Sequence, residues 1–202
     1  MYAIVDHRDS FTFNLVQLFG AQGVPVCVIG SDAPSLAALE DDPPDALILS
    51  PGPGHAGEAQ ETAACVRHWL GRVPILGVCL GHQILCAALG ARLQLAAEPV
   101  HGRVRPLCHD GSGLFEGLPS PLEVARYHSW VVASGGLPPE LEVNARDSEG
   151  QIMAVRHRRH LAYGIQFHPE SFMTRHGPEL ARAFIRRVAG QAYTAPGEVA
   201  HG

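Results

Sequence analysis

Apolar runs of four to six residues alternate with amphipathic stretches through the first half of the chain. Residues 2–5, 24–29, 46–49 and 74–78 are short and bounded by turn formers, as buried strands are. Between them, residues 11–21, 35–40 and 58–70 carry apolar positions at helical spacing, and a further helical pattern runs from His82 to near Gly90. Asp9 or Ser10 is placed to cap the first helix. This β-α-β-α order predicts a parallel sheet covered by helices on both faces, with ligands gathered at the carboxyl ends of the strands.

From about residue 92 the pattern changes to short runs broken by Gly and Pro, at 103–108, 122–127, 141–145, 152–156 and 162–167. These read as strands with few intervening helices, some extending the sheet and others forming a small antiparallel β layer near its edge. Residues 176–189 form a closing helix, apolar at Leu180, Phe184, Ile185 and Val188. The expected fold class is therefore α/β, an open and mostly parallel sheet with helices on both faces. One domain over residues 1–190 is expected, with 191–202 a disordered tail.

Composition narrows the chemistry. The 202 residues are 46% hydrophobic and 17% charged, as in a globular domain large enough for its own core. No apolar run is long enough to span a membrane, and the N-terminus enters a strand at once, without the pattern of a secretory signal. The five cysteines are odd in number and show no C-x-x-C spacing, which fits a reducing compartment, so a cytoplasmic location is expected. A net charge of -5 argues against nonspecific nucleic-acid binding. All 15 Lys and Arg positions are arginine. Without lysine there is no Walker A loop, no Schiff base and no Ser–Lys dyad, leaving thiol, hydroxyl, imidazole and carboxylate groups to react.

Two stretches concentrate those groups. In Gly77-Val78-Cys79-Leu80-Gly81 a cysteine stands between an apolar strand and a helix, the thiol counterpart of a G-x-S-x-G nucleophile elbow. A helix starting just after Cys79 would aim free N–H groups and its positive end at the sulfur. A cysteine after an apolar strand is more often a small core hydrophobe, so the elbow alone is weak. The second stretch is Gly164-Ile165-Gln166-Phe167-His168-Pro169-Glu170-Ser171, where Pro169 biases His168 toward an extended conformation. Spaced i and i+2, His168 and Glu170 can project to one side, the carboxylate orienting a ring that faces the thiol. In Pro51-Gly52-Pro53-Gly54 only the glycines keep an N–H. That turn could supply the Gly52 N–H to an oxyanion hole whose other arm is the Leu80 N–H, although Pro-Gly repeats are also ordinary turns.

Five ordered motifs carry a family resemblance: DHRDSFTFNL at 6–15, ILSPGPG at 48–54, GVCLGHQ at 77–83, RYHSW at 126–130 and GIQFHPES at 164–171. Together they resemble class I glutamine amidotransferase domains, a flavodoxin-like architecture. More narrowly, they are similar to the small glutaminase subunits of anthranilate synthase and aminodeoxychorismate synthase. The resemblance implies that Cys79 attacks the side-chain amide of glutamine, His168 serves as base and then acid, and Glu170 orients His168. It also implies an oxyanion hole at Gly52 and Leu80, and glutamine binding by Gly52, Pro53, Gly54, Gln83, Ser129 and Trp130.

No metal and no cofactor are implied for this chain. The expected partner is a large chorismate-binding synthase subunit that holds Mg²⁺ and receives ammonia through a channel, the chain itself showing no synthase domain. The family commonly has Leu at Trp130, Asn-Tyr at His7-Arg8 and Lys at Arg103. None of these departures removes a catalytic group, and the last bears on partner identity. His82 and Cys86 form an i, i+4 pair that hints at metal, but two ligands make a poor zinc site, so a structural role is expected. Rival readings are a glutaminase serving GMP or carbamoyl phosphate synthesis, a stand-alone thiol hydrolase, and a binding module without activity.

Overall fold

Strands that are apolar on both faces need cover on both faces, and among the described residues one nine-stranded sheet has its parallel strands covered by helices on each side. The computed structural model describes residues 1–191. The first half runs β1 (Tyr2–Asp6), α1 (Thr12–Gly20), β2 (Val26–Gly30), α2 (Ala33–Ala37), β3 (Ala46–Leu49), α3 (Gln60–Trp69), β4 (Ile75–Val78) and α4 (Leu80–Ala88). The second half runs β5 (Leu93–His109), β6 (Leu122–Val132), β7 (Leu141–Asp147), β8 (Ile152–His157), β9 (Ala162–Ile165) and α5 (Gly177–Gln191).

The strand order is β2-β1-β3-β4-β9-β8-β7-β5-β6. Pairing is parallel from β2 through β4 to β9, and antiparallel from β9 outward to β6. The antiparallel strands thus continue the same hydrogen-bonded sheet. Chain order reverses between β1 and β3, so the turns that follow these two strands flank a crevice at the carboxyl edge.

Alternation along the parallel strands divides the core in two. On one face Ile4, Ile48 and Val78 meet Leu15 and Phe19 of α1 and Leu180, Phe184 and Val188 of α5. On the other, Ala3, Val5, Leu47 and Leu49 meet Leu36 of α2, Val66 and Trp69 of α3, and Ile84 and Leu85 of α4. Burying each large side chain contributes on the order of 1.5–3 kcal/mol. That burial holds the loops at the carboxyl edge on a rigid base.

Several boundaries differ from the sequence reading, for local reasons. The helix expected over 58–70 is divided, because Ala59 (φ -94°, ψ 53°) separates a short 3-10 turn, Ala56–Glu58, from α3. Helix α1 has no side-chain cap, and Asp9 instead accepts from the Phe11 N–H (2.7 Å) in the preceding turn. β5 and β6 are much longer than their apolar runs, because cross-strand pairing carries them through polar positions such as His101, Arg103 and Arg126. α5 extends through Gln191, one residue into the expected tail, and residues 192–202 lie outside the described ones.

Candidate active site

Cys79 follows the last residue of β4 and has φ 52°, ψ -104°, in the left-handed half of backbone space that a residue with a side chain rarely adopts. Its neighbours make the strained turn possible. A Cβ on Gly77 would lie 2.5 Å from the Gly81 carbonyl oxygen, and one on Gly81 would run into the Leu49 carbonyl oxygen. Both glycines are therefore required by close backbone approach. The turn is held by Cys79 N–H donating to Ile165 O (2.9 Å) and Gln83 N–H donating to Cys79 O (3.1 Å). Helix α4 begins at Leu80, two residues earlier than the apolar pattern suggests, so its free N–H groups open directly beside the sulfur.

His168 follows β9, the strand hydrogen-bonded to β4, which brings two segments 89 positions apart in the chain to one edge. Its backbone is anchored twice, with its N–H donating to Ala125 O (3.0 Å) and its carbonyl accepting from Thr174 Oγ1 (2.6 Å). Thr174 Oγ1 also accepts from Ala125 N–H (3.0 Å), tying the histidine loop to β6. The ring donates from Nδ1 to Glu170 Oε1 at 2.7 Å, and the Glu170 side chain is fully buried. Phe11 and Tyr127 pack edgewise on the ring, with centroids 5.3 and 5.0 Å away. Nε2 is buried and has no hydrogen-bond partner among the described residues. Burial opposes protonation of the ring, but Cys79 and Glu170 outweigh it and push His168 up to about 10. The site therefore holds a proton beside the sulfur at neutral pH.

A cavity of about 260 Å³ opens over Cys79. Gly52, Gly54, Leu80, Gln83, Ser129 and Trp130, all singled out from the sequence, line it. Pro53 instead borders a neighbouring hollow with His7, His55 and Glu58. Gln83 is nearly buried, and its Nε2 donates to Trp130 O (2.9 Å) and Gln166 Oε1 (3.2 Å). Gln166 Nε2 in turn reaches Cys79 Sγ at 3.7 Å. Four further residues of this neighbourhood escape the sequence reading: His101, Tyr127 and His128 in the lining, and Gln166 behind the sulfur. His101 carries no local sequence signal, whereas the others lie inside two of the five motifs.

Outside the cavity, His82 is fully buried, and burial pushes it down to about 3. Its Nδ1 lies 3.7 Å from Cys86 Sγ, and a Cβ on Gly164 would collide with that nitrogen. This neutral ring is packed between α4 and β9, in a structural position. Among the described residues, no group of three or more His, Cys, Asp or Glu side chains is placed to share a metal ion.

A cysteine on a strained strand-to-helix turn, with a carboxylate-bound histidine presented by the adjacent parallel strand, gives this α/β protein an arrangement that suits nucleophilic thiol chemistry. Residues 3–188 match the family model described as glutamine amidotransferase class-I, and the chain belongs to that family. It is 43% identical over 187 residues to aminodeoxychorismate synthase component 2 of Escherichia coli (strain K12), covering 93% of this chain and 100% of that one. It is 42% identical over 185 residues to the aminodeoxychorismate/anthranilate synthase component 2 of Bacillus subtilis (strain 168), covering 92% and 95%. Among solved structures, a putative GMP synthase protein from Thermoplasma acidophilum superposes with a TM-score of 0.83 at 26% identity, covering 95% of each chain.

Proposed function

We propose that this chain is a glutaminase component that releases ammonia from glutamine for a chorismate-using synthase subunit, by way of Cys79, His168 and Glu170. The observation that carries this reading is the convergence on one edge of a strained thiol turn and a histidine bound to a buried carboxylate. In the first step the Cys79 sulfur, its proton passed to His168, attacks the side-chain carbonyl carbon of glutamine. The Gly52 and Leu80 N–H groups receive the oxyanion, contributing about 3 kcal/mol per donor. His168 gives its proton to the leaving nitrogen, ammonia departs, and a glutamyl thioester remains. Water then attacks the thioester with His168 as base, releasing glutamate and restoring the thiol.

Glutamine occupies the cavity between Gly54, Gln83, Ser129 and Trp130 in this reading, while Pro53 acts from outside it by stiffening the Gly52 loop. Main-chain groups of Ser129 and Trp130 serve as contacts, which tolerates tryptophan at the second position. Two observations support a partner. The relatives are named as second components of synthases, and Phe172, two residues beyond Glu170, is 93% exposed. Mg²⁺ is assigned to that partner rather than to this chain.

Glutamate release should be measured with the purified chain alone and with a chorismate-binding synthase subunit plus chorismate. The expected result is stimulation by the partner, lost in Cys79→Ser, with synthesis from ammonium salt preserved in the variant complex. High basal activity that the partner leaves unchanged would favour another acceptor, such as the one named for the structural neighbour from Thermoplasma acidophilum. Absence of turnover under every condition would overturn the enzymatic reading.

A further inference from the structure

His7 follows β1 at the end of the crevice between β1 and β3, and the residue is 8% exposed. Its ring meets three polar groups. Nδ1 lies 3.1 Å from the Ser50 carbonyl oxygen and 3.2 Å from Ser50 Oγ, and Nε2 lies 3.2 Å from Thr62 Oγ1. A carbonyl can only accept, so Nδ1 must carry the hydrogen, and Nε2 of the neutral ring must accept from the Thr62 hydroxyl. Ser50 is committed in the same direction, because its Oγ accepts from His7 N–H (3.0 Å) and donates to Pro51 O (2.7 Å). Burial favours the neutral ring by pushing the His7 pKa below its ordinary value.

Two residues along, Gly52 touches the same side chain. A Cβ placed on Gly52 would lie 2.5 Å from Leu80 Cδ2 and 2.6 Å from His7 Cβ, so the glycine backbone is wedged between His7 and the first residue of α4. Both proposed oxyanion donors thus belong to residues in contact across one narrow gap.

We propose that His7 is a positioning residue for the Gly52 amide: its Nδ1–H holds the Ser50 carbonyl, and so sets where the Pro51-Gly52 peptide lies relative to Leu80 and Cys79. The inference rests on the glutaminase reading above and deepens it. Its consequence falls on the transition state, because an oxyanion donor that is displaced affects the tetrahedral species more than bound glutamine.

The geometry separates this role from general packing. Asparagine places its amide nitrogen where histidine has Nδ1, whereas glutamine places its amide where histidine has Nε2. The experiment is steady-state glutamate release by the parent, His7→Asn, His7→Gln and His7→Ala, under conditions giving the parent full activity, with the folded fraction of each read by circular dichroism. His7→Asn should keep kcat within about threefold of the parent, while His7→Gln and His7→Ala should lose about tenfold or more, with KM within about twofold. Equal kcat for the Asn and Gln variants, or a loss confined to KM, would overturn the proposal while leaving the glutaminase reading intact. If His7→Ala does not fold, the Asn and Gln pair still decides. A parent without glutaminase activity would remove both.

Discussion

His168 Nδ1 donates to Glu170 Oε1 across 2.7 Å, and the carboxylate that accepts is buried completely while its second oxygen finds no partner among the described residues. A carboxylate in that position fixes the ring through Nδ1–H and favours its protonated form. Glu170→Gln should therefore lower kcat by on the order of 10²–10⁴-fold, by weakening both the orientation and the protonation of the ring.

The same pair has a pH signature. Burial works against protonation, but Cys79 and Glu170 together push the folded His168 pKa up to about 10 from an ordinary 6.5, so the native state holds a proton that the unfolded chain releases between those values. The stabilisation is complete below about pH 6.5 and is lost as pH rises toward 10. Thermal melts of the parent from pH 6.5 to 10 should show Tm falling through this window, with a shallower fall in Glu170→Gln. Parallel slopes in the two proteins would contradict the assignment.

Gly81 offers a test of the elbow that is independent of chemistry. An added Cβ there meets backbone, the Leu49 carbonyl, which cannot move without shifting β3. Gly81→Ala should destabilise by about 2–4 kcal/mol or prevent folding. Gly20 closes α1 with nothing within 4 Å of where an added methyl would lie, so Gly20→Ala should be neutral or stabilising by up to about 1 kcal/mol. Urea unfolding of both variants provides the comparison.

Arg126 and Asp147 form a buried pair between β6 and β7, with Nη1 and Oδ2 2.9 Å apart and side chains 5% and 3% exposed. Arg126 Nε also donates to His128 Nε2 (3.1 Å), and β6 continues into Ser129 and Trp130 at the cavity wall. Asp147→Ala leaves an uncompensated buried guanidinium and should cost about 3–5 kcal/mol. It should also raise KM for glutamine, because the strand that forms the wall loses its tether. Replacing both members by apolar residues should recover much of the stability. A double variant no better than Asp147→Ala would show that the pair does more than neutralise itself.

Local chemistry alone marks much of this site. Glycines flanking Cys79, Pro169 between His168 and Glu170, and the alternation of apolar runs with helical patterns each follow from short-range sterics that operate in any context. Other features depend on which segments become neighbours. Asp147 and Thr174 carry no local signal of their importance, and they matter because Arg126 and His168 are folded against them.

The sequence by itself determined the class of fold, the thiol elbow and the histidine–carboxylate pair, because each is encoded within a few consecutive residues whose backbone preferences are intrinsic. Only the tertiary structure decided that β9 lies beside β4, that His7 holds Ser50 and wedges Gly52, and that Pro53 faces a different hollow from Gly54. Those relations come from strand order and from packing between distant segments, where burial free energy rather than local propensity selects the arrangement.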